Sequence, residues 1–155
     1  MRVKAKNYCN GGNMKLECIK MDLFEVPDEY ALVHCISADF ALGAGIAKEF
    51  AKRGVKKALR ANYEQLWGDY GYCLKTTVNA KDYYNLVTKE HYYGKPTYRT
   101  LHEALIDLKQ KVGNSAYLAM PKIGCGLDRL DWNIVIRYVE DVFGSTDVTI
   151  KVCFL

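Results

Sequence analysis

Two glycines and a carboxylate stand close together in the stretch MPKIGCGLDRLDW, directly after an apolar run. Gly124 and Gly126 have no Cβ, so a ligand can approach the backbone there, and main-chain N–H groups in such a loop can wrap a diphosphate. Asp128 follows at once, although a carboxylate repels phosphate. Asp128 therefore either pairs with a cation, Arg129 or Lys122, or faces the part of the ligand where chemistry occurs.

A second glycine-rich loop, Gly43-Ala44-Gly45, separates an apolar run from a predicted helix in the stretch HCISADFALGAGIAKEF. Free N–H groups in such a loop and the positive end of a helix attract an anion. The pattern matches neither the Walker A motif nor GxGxxG, so a plain tight turn into the helix remains an alternative. Two such loops at one sheet edge would suit a ligand with two phosphates better than a ligand with one.

Lys89 ends the apolar run in the stretch LVTKEHYYGKPTY. One interpretation is a solvated lysine at a strand end, and another is a counter-charge for phosphates. If Lys89 is partly desolvated and matched to a carboxylate, its amine is instead a nucleophile for a sugar carbonyl.

The spacing of apolar residues predicts strands and helices that alternate along the chain. Short apolar runs are typical of buried strands, and apolar residues three and four positions apart are typical of amphipathic helices. Ile46 and Phe50 are predicted to share one helix face, and Leu66 extends the apolar stripe of the next helix. The predicted strands are 2–8, 14–21, 31–37, 72–78, 83–89, 117–121 and 148–155, and the predicted helices are 43–54, 55–68, 96–113 and 131–144.

This alternation predicts an α/β fold with a parallel or mixed sheet that helices cover on both faces. Ligands in such folds bind beyond the carboxyl ends of the strands. The loops that follow 31–37, 83–88 and 116–120 are therefore expected to meet at one edge. These loops contain both glycine-rich stretches and Lys89, so the predicted site lies there.

The bulk composition is typical of one globular domain. The chain has 155 residues, of which 50% are hydrophobic and 26% charged. Its formal charge of +4 mildly favours an anionic ligand, but it lacks the basic excess of a dedicated nucleic-acid binder. No apolar window is long enough to span a membrane, and the N-terminus lacks the apolar centre of a secretory signal. We therefore expect an intracellular, cytoplasmic protein.

Six cysteines, at positions 9, 18, 35, 73, 125 and 153, show neither CxxC spacing nor a zinc-type cluster with histidine. Most of them lie in apolar, strand-like runs. This placement favours buried, reduced thiols over disulfides. We expect no metal and no cofactor.

Several motifs together resemble one known family. The fragments are KMDLFEVP, HCIS.D...GAGIA, LVTK......KPTY, MP.IGCGLDRLDW and VF..TD..I.V. They resemble a macrodomain and, more narrowly, the terminal ADP-ribose protein glycohydrolase subclass. The resemblance assigns residues 14–155 to the macrodomain and leaves 1–13 as an N-terminal extension or an extra strand.

The resemblance implies a three-layer α/β/α fold with a mixed central sheet and a crevice for ADP-ribose. It implies hydrolysis of ADP-ribose esters on acidic protein side chains and of O-acetyl-ADP-ribose, and in some members release of ADP-ribose from nucleic acid. The implied partners are ADP-ribose and ADP-ribosylated protein or nucleic acid. The chain is expected to be a monomer in the cytoplasm, or also in the nucleus if the organism is eukaryotic.

The family's functional residues map onto this chain motif by motif. Lys89 corresponds to the nucleophile and Asp128 to the general acid/base. Asp22, with Leu23 beside it, corresponds to the group that binds the adenine amino group. The residues expected to line the distal ribose and phosphates are Ser37, Gly43, Ala44, Gly45 and Ile46, and those expected to cradle the diphosphate are Ile123, Gly124, Cys125, Gly126 and Leu127.

Two other functions compete with ester hydrolysis. A related macrodomain group removes phosphate from ADP-ribose 1″-phosphate, and other members bind ADP-ribose without turnover. The GLDRLDW segment favours the glycohydrolase, and the presence of both Lys89 and Asp128 argues against a pure binding module. The chain lacks the Asn-Ala-Ala-Asn run of other subclasses, and its adjacent Tyr92 and Tyr93 have no assigned role.

Overall fold

Strands and helices alternate along the chain in the computed structural model, which describes residues 2–7, 13–64 and 70–155. The strands are β1 (Arg2–Asn7), β2 (Lys15–Lys20), β3 (Ala31–Ser37), β4 (Tyr72–Val78), β5 (Lys81–Lys89), β6 (Tyr117–Met120) and β7 (Thr149–Phe154). The helices are α1 (Ile46–Lys52), α2 (Val55–Asn62), α3 (Tyr98–Val112) and α4 (Trp132–Phe143), with a short 3-10 turn at Leu23–Glu25.

All these strands belong to one seven-stranded sheet, in the order β1-β2-β7-β6-β3-β5-β4. The five inner strands pair in parallel, and β1 and β4 pair antiparallel at the two edges. The α/β fold with a mixed central sheet is therefore confirmed.

Each face of the sheet carries its own hydrophobic core. On one face, α1 and α2 contribute the fully buried Phe50, Val55 and Leu59. On the other face, α3 and α4 bury a longer stripe that includes Leu101, Leu105, Leu108, Val135, Val139 and Phe143. The result is the predicted three-layer α/β/α architecture.

Local sequence signals explain where the helices around the site begin and end. Thr97 and Thr100 form a reciprocal capping box at the start of α3. Asp131 caps α4 by accepting a hydrogen bond from the N–H of Asn133 at 2.9 Å. Gly144 is the C-cap of α4, and a Cβ there would stand 2.7 Å from the carbonyl oxygen of Glu140, so the position requires glycine.

Two details of the predicted helices are wrong. The second helix ends at Asn62, because Tyr63 adopts extended backbone and its hydroxyl donates to the Lys75 carbonyl of β4 at 2.6 Å. The first helix begins at Ile46 rather than at position 43, so the glycine-rich loop stays outside it. Leu66 lies outside the described residues.

The described cysteines are all free thiols. Cys73 and Cys153 are buried, whereas Cys18, Cys35 and Cys125 are half-buried; Cys9 lies outside the described residues. Within the described ranges, no helix has both the length and the apolar character needed to cross a bilayer.

The three loops of interest leave the sheet side by side. Strands β6, β3 and β5 are neighbours and run parallel, so their carboxyl ends share one edge. Beyond the end of β3, the N–H of Ala38 still donates to the carbonyl of Lys89 at 2.9 Å. The loop after β3 and the residue that ends β5 are therefore held together directly.

Candidate active site

A crevice of about 870 Å³ opens at this edge of the sheet. Residues from all three loops line it, which agrees with the rule that ligands bind beyond the carboxyl ends of parallel strands. The predicted site residues that line the crevice are Ser37, Gly43, Ala44, Gly45, Ile46, Lys89, Ile123, Gly124, Gly126, Leu127 and Asp128.

Lys89 and Asp128 contact each other in the crevice wall. The Lys89 Nζ donates to Asp128 Oδ1 at 2.8 Å, and the two side chains are only 15% and 17% exposed. Among the described residues, Asp128 forms no ion pair with Arg129 or Lys122, which was the other interpretation of its position. A carboxylate in direct contact with an amine can take its proton, so the pair has the geometry of an activated nucleophile and its base.

A bulge in β5 comes immediately before this lysine. The pairing of β3 with β5 changes from Ile36 opposite Val87 to Ser37 opposite Lys89. Thr88 is therefore an extra residue in β5. Such bulges redirect the side chains that follow them and are frequent beside active sites.

The loop after β6 folds on itself in a way that leaves several N–H groups free. Its inner bonds run from Cys125 N to the Lys122 carbonyl at 3.1 Å and from Leu130 N to the Gly124 carbonyl at 2.8 Å. Among the described residues, the N–H groups at positions 126–128 find no acceptor. They remain available to an anion in the crevice.

The two glycines of this loop have different roles. Gly124 has a φ of +73°, and a Cβ there would lie 2.9 Å from Leu130 Cδ1, so the fold itself requires glycine. Gly126 does not adopt positive φ, and a Cβ would meet nothing within 4 Å. Positive φ therefore does not explain the glycine at position 126, and the expected space for a ligand is the only reason that remains.

The loop after β3 faces the loop after β6 across the crevice. Gly45 has a φ of +59°, and a Cβ there would stand 3.3 Å from Leu127 Cδ1 of the opposite loop. Phe40 and Leu42 also adopt positive φ, which turns this loop tightly before α1. Within the described part of the chain, the N–H groups from position 42 to 47 have no acceptor, so a second row of donors lines the crevice.

Asp39 joins this loop to the segment after β5, and sequence reasoning missed it. Its Oδ1 accepts from Ser37 Oγ at 2.6 Å and from the N–H of Ala41 at 3.0 Å, while its Oδ2 accepts from the N–H of Tyr92 at 2.9 Å. Burial opposes ionisation, but these hydrogen bonds outweigh it and lower the pKa of Asp39. An Asp after a strand predicts a local turn, whereas the bond to Tyr92 depends on tertiary structure.

Two cysteines near the pair are poor nucleophiles. Burial, and then the charge of Asp128, raises the pKa of Cys35, which lies at the base of the crevice. Burial likewise raises the pKa of Cys125 to about 11. Cys125 does not line the crevice, because its thiol points inward and donates to the Ile123 carbonyl at 3.3 Å.

Asp22 and Leu23 also lie outside the crevice lining. Asp22 follows β2 at the same edge of the sheet, and its Oδ1 caps the 3-10 turn by accepting from the N–H of Phe24 at 2.9 Å. Leu23 is buried in the core beneath α1. The adenine-binding role of Asp22 stays a prediction.

Across the described ranges, no three His, Cys, Asp or Glu side chains are grouped to hold a metal ion.

Solved structures with the same architecture are macrodomains. The macrodomain of Thermus aquaticus DarG superimposes with a TM-score of 0.74 at 20% identity, over 92% of this chain and 99% of that one. Thermosipho africanus DarTG in complex with ADP-ribose has a TM-score of 0.66 at 16% identity, over 98% of this chain and 44% of that one. At these identities the likeness establishes the fold alone.

Sequence similarity narrows the assignment. No protein-family model matches the chain. The chain is, however, 39% identical over 142 residues to the ADP-ribose glycohydrolase OARD1 of Bos taurus, which spans 89% of this chain and 90% of that protein. The chain therefore belongs to the macrodomain family, in the group that contains the ADP-ribose glycohydrolase OARD1.

Proposed function

We propose that this protein is a hydrolase that removes ADP-ribose from ester-linked conjugates, with Lys89 as the nucleophile and Asp128 as the general acid/base. The observation that carries the proposal is the 2.8 Å contact between Lys89 Nζ and Asp128 Oδ1 in the crevice wall. The name of the relative, an ADP-ribose glycohydrolase, supports the same activity.

The crevice suits ADP-ribose in size and in the groups it presents. Its volume of about 870 Å³ lies within the range of small-molecule sites. Two rows of free N–H groups face it, one in each glycine-rich loop, and can share the charge of a diphosphate. The complex of a structural neighbour with ADP-ribose supports this choice of ligand.

The chemistry begins with a proton transfer. Asp128 takes a proton from the Lys89 ammonium, and the neutral amine forms a bond to C1″ of the distal ribose. The bond between C1″ and the carrier oxygen breaks, and the carrier leaves as a carboxylate with the electron pair. One proton on the lysine nitrogen then passes through Asp128 to O4″ as the ribose ring opens to an iminium.

Water completes the cycle. It adds to the iminium carbon, the lysine amine leaves, and the resulting aldehyde closes to ADP-ribose. The balance is one ester and one water in, and one carboxylate, one ADP-ribose and one proton out. Lys89, Asp128 and both glycine-rich loops belong to the same chain, so we propose that the monomer is active.

Three substrates test the proposal in parallel. An ADP-ribosyl ester on a glutamate peptide, ADP-ribose 1″-phosphate and free ADP-ribose are incubated with the protein and with the Lys89→Arg variant, and products are identified by mass. We expect release of ADP-ribose from the ester by the wild type only. Release of phosphate without ester cleavage, or binding of ADP-ribose without any turnover, would contradict the proposal.

A further inference from the structure

A second cavity, of about 570 Å³, adjoins the crevice at Lys89. Lys89, Gly94 and Lys95 line both spaces, so the segment that follows β5 forms the wall between them. The other side of the second cavity consists of residues from the start of α3, including Thr97 and Arg99. The cavity therefore lies next to the bond that the proposed reaction breaks, outside the ADP-ribose crevice.

Thr88, one of the residues that line this second cavity, carries a buried hydroxyl without a partner. Thr88, the extra residue of the β5 bulge, is 2% exposed, and its Oγ1 has no hydrogen-bond partner among the described residues. A buried polar group without a partner is unfavourable and rare in native proteins. A bound ligand that reaches Thr88 would supply the missing bond.

The start of α3 adds positive character to the same space. In the capping box the N–H of Thr100 donates to Thr97 Oγ1, and the N–H of Leu101 donates to the Thr97 carbonyl. The N–H groups of Tyr98 and Arg99 have no acceptor in the described structure. They point out of the amino end of the helix, where partial positive charge collects. The Arg99 side chain is 86% exposed and can move toward a carboxylate, since its contact with Glu103 at 3.4 Å is a weak surface pair.

Charges of both signs line the cavity, and this restricts the ligand. Lys95 and Arg99 are cationic, whereas Glu90 and Glu103 are anionic. A phosphodiester backbone would meet both carboxylates and be repelled. A polypeptide presents carboxylates, carbonyls and N–H groups together, so it can match both signs.

We propose that this second cavity is the subsite for the carrier, and that it holds the polypeptide segment from which ADP-ribose is released. The inference rests on the proposed function, because Lys89 marks the position of the scissile ester. Arg99 and the start of α3 would bind a carboxylate of the segment, and Thr88 would hydrogen-bond its backbone.

Two substrates with an ester at the same carbon, C1″, but different carriers test this subsite: an ADP-ribosyl glutamate peptide and the C1″ isomer of O-acetyl-ADP-ribose. An ADP-ribosyl glutamate peptide reaches the second cavity, whereas the acetyl group of O-acetyl-ADP-ribose is too small to fill it. We expect Arg99→Glu to lower kcat/KM for the peptide roughly tenfold or more, and Thr88→Val to lower it a few-fold. Turnover of O-acetyl-ADP-ribose should change by less than about twofold, within the scatter of surface substitutions.

A matched control is Arg137→Glu, the same charge reversal at an exposed position of α4 that lines neither cavity. It should leave both substrates unaffected. Thermal unfolding of each variant checks the fold, and Thr88→Val should not lower Tm, because it removes an unsatisfied buried hydroxyl.

Three results would overturn the inference. Equal loss on the peptide and on O-acetyl-ADP-ribose would make Thr88 and Arg99 structural residues. Unchanged peptide turnover in both variants would mean that the carrier does not bind in this cavity. A selective loss on an ADP-ribosylated oligonucleotide, with the peptide unaffected, would assign the cavity to nucleic acid. A wild type that cleaves none of these esters would instead refute the proposed function, and the subsite with it.

Discussion

Asp39 Oδ2 accepts a hydrogen bond of 2.9 Å from the backbone N–H of Tyr92, and this bond links the loop after β3 to the segment after β5. The same carboxylate holds Ser37 and Ala41 through its other oxygen. One side chain thus sets the distance between the wall that carries free N–H groups and the segment that begins at Lys89. We expect it to act as a positioning residue rather than a catalytic one.

We expect Asp39→Asn to impair both stability and turnover. An amide has one acceptor oxygen, so its NH₂ group must face either Tyr92 N–H or the pair formed by Ser37 and Ala41. The free energy of unfolding should fall by about 1–3 kcal/mol, and kcat/KM should fall while the Lys89–Asp128 pair is still present. Urea unfolding and steady-state kinetics measure the two effects. Asp147→Asn is the control, since Asp147 also accepts a backbone N–H, from Asn13 at 2.9 Å, but on the surface away from the crevice. Equal behaviour of the two variants would remove any positioning role from Asp39.

Lys89→Arg should abolish ester turnover by more than about a hundredfold. A guanidinium can replace the ion pair with Asp128, so the fold and ADP-ribose binding should persist, but it stays protonated and cannot attack carbon. Kinetics and calorimetry with ADP-ribose separate the two effects. An active Lys89→Arg enzyme would make Lys89 a counter-charge for the phosphates.

Asp128→Ala should trap the intermediate on Lys89. Attack can still proceed slowly, whereas the proton transfers that open the ring and release the product lose their carrier. Intact-protein mass spectrometry after borohydride reduction should show one ADP-ribose adduct, which Lys89→Ala should eliminate. If the two residues act as a unit, as proposed, the double variant should be little slower than either single one. If no adduct forms in any variant, Asp128 more simply activates water.

Gly126→Val and Gly124→Ala should fail in opposite ways. A Cβ at Gly126 meets nothing within 4 Å, so the fold should be retained, while the side chain fills space beside the free N–H groups and weakens ADP-ribose binding. At Gly124 the φ of +73° and Leu130 at 2.9 Å make even a methyl group destabilising. Differential scanning calorimetry and binding isotherms distinguish them. Normal affinity in Gly126→Val would place the diphosphate elsewhere.

His34 should make the fold sensitive to mild acid. Burial lowers its pKa from 6.5 to about 4, although a hydrogen bond with Asn85 opposes the shift. Above the unfolded pKa of 6.5, His34 is neutral in both the folded and the unfolded chain, and the stability is at its full value. As the pH falls from there toward the folded pKa of about 4, the unfolded chain binds a proton that the folded chain does not bind, so stability is lost. Between pH of about 7 and about 5, the free energy of unfolding should drop by roughly 2 kcal/mol. The carboxylate of Asp39, whose pKa is lowered, would lose its contribution only below its ordinary 3.8.

Urea unfolding across this pH range measures the effect, and His34→Gln is the matched variant. Glutamine can still donate to Asn85 but does not titrate, so its stability should be nearly flat in the same window. A wild type that is equally flat would mean that the pKa of His34 is close to normal in the folded chain.

The sheet edge that carries the site was predictable from the sequence, for a physical reason. Buried runs such as ALVHCIS indicate parallel strands, and parallel strands bring the loops at their carboxyl ends together. Gly45 and Gly124 were also visible as positions where a ligand could approach the backbone, and in the structure both have positive φ. The residue types and their spacing left several roles open for Lys89 and several partners open for Asp128. The family resemblance was needed to favour an active pair of Lys89 and Asp128.

Other features depend on tertiary contacts that no local pattern encodes. The extra residue Thr88 in β5 follows from the register with β3, which sequence alone does not specify. The end of α2 depends on Tyr63 reaching a carbonyl of β4. The bond from Tyr92 to Asp39 crosses between loops, so the letters around Asp39 predict only its local turn.

The order of the sheet also means that the two groups of the proposed reaction, Lys89 and Asp128, belong to separable parts of the chain. Strands β6 and β7 are neighbours, and together they fill the space between β2 and β3. A cut between Gly113 and Asn114, in the exposed turn after α3, would leave Lys89 on the longer fragment and Asp128 on the shorter. Under the proposed mechanism, neither fragment could catalyse ester cleavage alone. The activity recovered after mixing the fragments would then measure the fraction that has reassembled. Such a split enzyme would report on the formation of its own central sheet.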